Sequence, residues 1–162
     1  EMRKNKLLKI FEIISVLLIC LILLGFNNED ENIKYVRSNY VEGMNGLTYI
    51  IYSKEELDNY FNTYKDEYGL SHKENSDSER FEDVIEEYDE EFFVENQLVI
   101  ILLSAEGSNI RFKVTNYEVV DGVMNVSIEE VYPLFVQEQM SGMYIVIQIN
   151  VDKLKDVIIN IK

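Results

Sequence analysis

Cysteine, histidine, proline and tryptophan are nearly missing from this chain: one, one, one and none among 162 residues. A single cysteine excludes a disulfide framework, a thiolate zinc site and a CxxC pair within one chain. Cys20 lies inside an apolar run and reads as a small buried residue. His72 and Cys20 together cannot supply the ligands of a zinc site. His72 sits in a polar stretch beside Ser71, Lys73 and Glu74. A nucleophilic triad needs a base held against its nucleophile by a third group, and no G-x-S-x-G is present, so His72 reads as a surface histidine. Without tryptophan, nothing suggests a sugar-stacking cleft around paired carboxylates.

Positive charge is scarce too. Lys and Arg number 15 against 30 Asp and Glu, for a net charge of -15. Residues 1–26 hold four basic and two acidic side chains, which leaves 11 basic against 28 acidic beyond them, a net of -17. Such a surface repels nucleic acid and anionic headgroups over a Debye length, about 8 Å at physiological salt. That charge argues against nucleic-acid binding, and no nucleic-acid partner is expected. A basic protein partner or a cation is compatible with it. With 47% hydrophobic and 12% aromatic residues, eleven of them Tyr, the chain has the composition of a folded domain with a real core.

The longest apolar stretch is at the start. Arg3, Lys4, Lys6 and Lys9 precede residues 10–26, in which Glu12 and Ser15 are the main polar interruptions. A basic region followed by an apolar run is the export pattern. From residue 10 the run reaches the roughly 17–25 residues of a bilayer span. Three readings stay open: an uncleaved single-span anchor, a cleaved signal peptide, and a lipid anchor. The basic flank puts the N-terminus in the cytoplasm and the rest outside. The expected organisation is a leader over 1–26, an acidic linker over 27–32 and one extracytoplasmic domain over 33–162.

Within that domain, Leu98-Val99-Ile100-Ile101-Leu102-Leu103 is apolar at every position, the mark of a central strand covered on both faces. Residues 33–41 and 47–52 read as strands, separated by a Gly43-Met44-Asn45-Gly46 turn. Ser53 with Glu56 forms a capping box, followed by an apolar stripe of Leu57, Tyr60, Phe61 and Tyr64 and a plausible stop at Gly69. Ser76 with Glu79 offers a second box, and Phe81, Val84, Ile85, Tyr88 and Phe92 repeat the helical spacing. These aromatics read as core faces.

Beyond residue 103 the pattern alternates. Glu106-Gly107-Ser108-Asn109 reads as a hairpin turn. Asp121-Gly122 is the strongest hairpin signal, because a type I′ turn needs φ > 0 at both central residues. Met124, Val126 and Ile128 alternate with polar neighbours, and Pro133 ends that strand because it has no N–H to donate. Met143, Ile145, Ile147 and Ile149 suggest a further half-buried strand, and residues 157–161 a short last one. The expectation is an α+β domain: a mostly antiparallel meander with two helices packed on it.

No catalytic set stands out. The acidic run is the one charged feature with an energetic cost. Residues 74–95 hold eleven carboxylates and only Arg80 as a base. On a continuous helix Glu82/Glu86 and Glu86/Glu90 are like-charged i,i+4 pairs, each unfavourable by about 0.2–0.5 kcal/mol. A solvated face explains this most simply. A surface for a basic partner, through Glu82, Glu86 and Glu90, is the functional alternative. Calcium would need six to eight convergent oxygens, and no D-x-[DN]-x-[DN]-G loop occurs.

Three pieces carry a family likeness: Ser53-Lys54-Glu55-Glu56-Leu57, then Tyr88-Asp89-Glu90-Glu91-Phe92-Phe93, then the central strand followed by Gly107-Ser108. Across residues 47–149 the chain resembles small exported proteins of unknown function from Gram-positive bacteria. More distantly it is similar to the PrcB C-terminal domain, named for an accessory subunit that stabilises an extracellular protease complex. Pro133 agrees with that pattern. The resemblance implies a structural, non-catalytic role without cofactors and adds Gly107 and Ser108 as candidate partner-binding residues. The leading expectation is thus a membrane-anchored or exported, non-enzymatic accessory domain that binds a basic or cell-surface protein. The alternatives are an extracytoplasmic cation- or small-ligand-binding sensor and a hydrolase.

Overall fold

Residues 98–103 occupy most of β3 (Gln97–Ala105), which lies between β2 (Leu47–Ile51) and β6 (Ser141–Ile149). With β1 (Ile33–Asn39) on the far side of β6, these strands form an antiparallel sheet in the order β1-β6-β3-β2. This computed structural model describes residues 30–39, 43, 45–71, 79–150 and 154–162. The leader, Cys20, His72 and Ser76 lie outside them, as do the expectations resting on those residues. Residues 32–162 make one unit, α+β and mostly antiparallel. Among the described residues no helix is long and apolar enough to cross a membrane.

β3 is buried on both faces, and its two parities serve two cores. Leu98, Ile100 and Leu102 face the helices, with Val146 and Tyr144 beside them. Val99, Ile101 and Leu103 face a second sheet, with Met143, Ile145 and Ile147. That second sheet has the order β4-β5-β7, from β4 (Arg111–Val120), β5 (Val123–Val131) and β7 (Asp156–Ile161). Its inner face is the alternating set Phe112, Val114, Met124, Val126 and Ile128.

Helix α1 (Lys54–Tyr64) starts as its sequence predicts. The Ser53 hydroxyl accepts from the Glu56 amide at 3.2 Å, while the Glu56 carboxylate accepts from the Tyr52 amide at 2.7 Å, one residue before the cap. Leu57 and Tyr60 are buried, and Phe61 and Tyr64 pack half-buried against the same core. The helix ends at Tyr64, short of Gly69. Further turns carry the chain to Gly69, whose φ of 60° suits a residue without Cβ.

Four expectations need correction. The second helix does not run from residue 81 to 92: α2 spans only Phe81–Ile85, and a 3-10 turn follows at Phe92–Val94. Continuing it would stack Glu82/Glu86 and Asp83/Glu87 with no base in the last turn. The Asp89 carboxylate instead accepts from the Phe92 amide at 2.9 Å, a local alternative to helix.

Residues 106–109 are not a hairpin turn. β3 pairs with β2 and β6 while β4 pairs with β5, so this segment carries the chain from one sheet to the other. The fold is therefore not a single meander, and β7 runs parallel to β5, entering by a crossover from β6. Finally, β6 is buried on both faces, because Tyr144 and Val146 are as fully buried as Ile145 and Ile147. The Asp121-Gly122 hairpin forms as expected, with φ of 53° and 82°.

Candidate functional site

The crossover after β3 and the connection between β5 and β6 meet at one end of the four-stranded sheet, where β3 ends opposite the start of β6. Pro133 stops β5, and the chain must then travel to β6 without a ladder. That connection is apolar yet uncovered. Tyr132, Leu134, Phe135, Val136 and Met140 are 61%, 98%, 85%, 46% and 46% exposed.

The apolar tip is tied down at its base. Asn109 Nδ2 donates to the Phe135 carbonyl at 2.6 Å, and Asn109 Oδ1 accepts from the Gln137 amide at 2.9 Å. The Ser108 amide donates to the Gln137 carbonyl at 3.3 Å, and the Ser108 hydroxyl bonds Gln137 Oε1 at 2.8 Å. Ser141 Oγ donates to the Gly107 carbonyl at 3.2 Å. Gly107 leaves room for the connection to close: a Cβ there would lie 2.4 Å from Val136 Cγ1 and 3.2 Å from the Gln137 carbonyl oxygen, so Val136 would have to shift.

Arg37 holds the crossover from beneath. It follows Ile33 and Tyr35 on the face of β1 turned to the second sheet. Its guanidinium donates to the Ser108 carbonyl through Nη1 and to the Ile110 carbonyl through Nη2, the latter at 3.0 Å. Tyr35 makes the next contact along, its hydroxyl accepting from the Val114 amide at 3.0 Å. Two neighbouring side chains of β1 therefore bind the two sheets together at this end.

The surroundings of the tip carry both signs: Arg111 pairs opposite Val131, and the backbone of Lys162 pairs with Ile128 and Glu130. Tyr132 donates to the Glu130 carboxylate. That hydrogen bond, with the charges of Glu130 and Glu106, holds the Tyr132 hydroxyl above the usual phenol range. Glu138 is exposed within the connection itself.

Of the residues singled out from sequence, Gly107 and Ser108 belong to this site as its base. The acidic candidates do not. Glu82 is half-buried and paired with Arg80 Nη1 at 3.3 Å, while Glu86 and Glu90 are exposed beyond α2 and on no common helical face. The segment carrying them packs through Phe81, Val84 and Ile85 on the helix-covered face of the four-stranded sheet, whereas the crossover that holds Gly107 leads to the second sheet on the other face. Among the described residues no three His, Cys, Asp or Glu side chains come together in a way that could hold a metal ion.

Arg37, Leu134 and Phe135 were not apparent as site residues in the sequence. The signal for the last two is the run Val131-Tyr132-Pro133-Leu134-Phe135-Val136, apolar past a proline that no strand can absorb. For Arg37 there is no local signal, because its partners lie 71 and 73 residues away. No family model, curated protein or solved structure matches the chain.

Proposed function

We propose that this chain is a membrane-anchored or exported accessory domain that acts by binding another protein and carries out no catalysis. One observation carries the reading: Leu134 and Phe135 stand almost wholly in solvent on a connection held by hydrogen bonds at both sides. Large apolar side chains left uncovered together are characteristic of an interaction site. Holding them in one conformation lowers the ordering cost of docking. The basic leader with its apolar run supports export, and the resemblance to the PrcB C-terminal domain supports an accessory role.

Full coverage of the two side chains would contribute about 1.5–3 kcal/mol each. Their loss should therefore weaken binding by well over tenfold, at about 1.4 kcal/mol per decade. A photo-crosslinking residue at position 135 of the full chain, expressed in its own cell envelope, should give a discrete protein adduct. The same residue at position 113, on the outer face of β4, should give none. Equal labelling at both positions, or none at either, would count against a docking role for the tip.

A further inference from the structure

We infer that the chain forms a symmetric dimer in which β7 pairs antiparallel with β7 of a second copy, joining two three-stranded sheets into one of six strands. This contact lies apart from the tip and does not depend on it. β7 stands at an edge, with β5 on one side and no strand on the other among the described residues. The Lys162 amide donates to the Ile128 carbonyl at 2.9 Å, and the Lys162 carbonyl accepts from the Glu130 amide at 3.1 Å, so Lys162 turns both groups to β5. Backbone direction alternates along a strand, so Val157, Ile159 and Ile161 turn theirs to the open side. The Val157 amide accordingly bonds its own neighbour, donating to Asp156 Oδ1 at 2.8 Å. Natural edge strands are ordinarily shielded by bulges or by charges along their length. β4 has a bulge between Val114 and Asn116 with exposed Lys113 beside it, and β1 carries Lys34 and Arg37. Residues 157–161 of β7 have no charge, proline or glycine, and Ile158 and Ile161 are 46% and 42% exposed.

What selects a second copy is that β7 complements its own reverse. About a two-fold axis at Ile159, Asp156 stands opposite Lys162 of the second copy, and Lys162 opposite its Asp156. Val157 faces Ile161 in the same way, and Ile159 faces Ile159. The odd-numbered residues, whose backbone groups are open, are then the directly bonded pairs. Opposite charges across an antiparallel pair are favourable and like charges unfavourable. Sliding the strands by two residues separates both ion pairs, so bonding and charge select one register. The net charge of -15 does not oppose this contact locally, because residues 152–162 hold Lys153, Lys155 and Lys162 against Asp152 and Asp156. A lipid surface would leave the open amides and carbonyls without partners.

The test is sedimentation of the purified full chain in detergent, where the wild type should dimerise. Asp156→Lys and Lys162→Asp each place two like-charged pairs across the axis and should weaken dimerisation about tenfold. The double variant Asp156→Lys/Lys162→Asp re-forms both pairs with their signs exchanged and should return to the wild-type affinity. Both side chains are exposed, so the variants should keep the melting temperature of the dilute chain, which is checked first. Register is read separately by Ile159→Cys in a Cys20→Ser background. Directly bonded residues of an antiparallel pair lie about 5.5 Å apart at Cα, within disulfide reach, so mild oxidation should give a covalent dimer. Lys113→Cys in the same background, on the outer face of β4, should give none. A monomer at every soluble concentration, or a dimer indifferent to the charge variants, would overturn the pairing. Single variants that weaken the dimer without rescue by the double, or equal crosslinking at 159 and 113, would overturn the register on which it stands.

Discussion

Replacing Arg37 with methionine should loosen the end of the molecule that carries the tip. The substitution keeps an apolar stem on β1 and removes the guanidinium that donates to the carbonyls of Ser108 and Ile110. Hydrogen bonds to charged groups contribute about 1.5–3 kcal/mol each. The two here share one donor group, and the guanidinium pays desolvation for its half-buried position, so the sum overstates the loss. A net destabilisation of about 2–3 kcal/mol is expected. At about 4 °C per kcal/mol for a folded unit of this size, that lowers the melting temperature by about 8–12 °C. Arg37→Lys keeps the charge but not the fork that spans two carbonyls, so it should fall between the two. Hydrogen exchange locates the effect. The amides of Ser108, Ile110 and Gln137, which donate to Gln137, Gly107 and Asn109, should lose protection, whereas the buried β3 amides should change only as far as global stability does. A methionine variant melting within about 2 °C of wild type, or exchange unchanged over residues 108–137, would refute the assignment of Arg37 as the clamp.

Gly107→Ala should cost about 1–3 kcal/mol by overpacking against Val136 and the Gln137 carbonyl, measured by urea unfolding, and should weaken tip-dependent binding together with stability. Tyr144→Phe removes the donor to the Tyr68 carbonyl, a buried bond of 2.8 Å, and should destabilise by about 1–2 kcal/mol in the same assay. The domain should also unfold in alkali. Burial raises the hydroxyls of Tyr49, Tyr60 and Tyr144 above the usual range and pushes Tyr88 up to about 12. Folded tyrosines then hold protons that unfolded ones, at about 10, release. Stability is full below about pH 10 and falls as pH rises through the folded values, so tyrosinate absorbance should grow together with loss of circular dichroism.

Local patterns were legible where a single element explains them. The unbroken apolarity of residues 98–103 predicts a strand covered on both faces, and β3 is one. Asp121-Gly122 predicts its own hairpin because the φ requirement lies within two residues. The acidic run misled for an instructive reason. Its apolar positions keep helical spacing to Phe92, but spacing records only which side chains face the core. It does not count the repulsion among Glu82, Asp83, Glu86 and Glu87, nor the pull of Asp89 on the Phe92 amide. A short helix, a turn and a 3-10 turn still place Phe81, Val84, Ile85 and Tyr88 against the sheet.

Pairing across sheets was illegible for a different reason. An antiparallel hairpin and a crossover between layers demand the same residues in a short connection, small and polar, and Glu106-Gly107-Ser108-Asn109 satisfies both. What separates them is Arg37, which waits some seventy residues upstream and binds the crossover only once β1 lies beside β6. The tip follows from that placement. With the crossover held from beneath by Arg37 and from above by Ser141 and Gln137, the chain after Pro133 closes over Gly107, and Leu134 and Phe135 face outward. Their exposure is therefore a consequence of the long-range contacts that join the two sheets, which is why a surface that hydropathy alone would assign to the core stands in solvent.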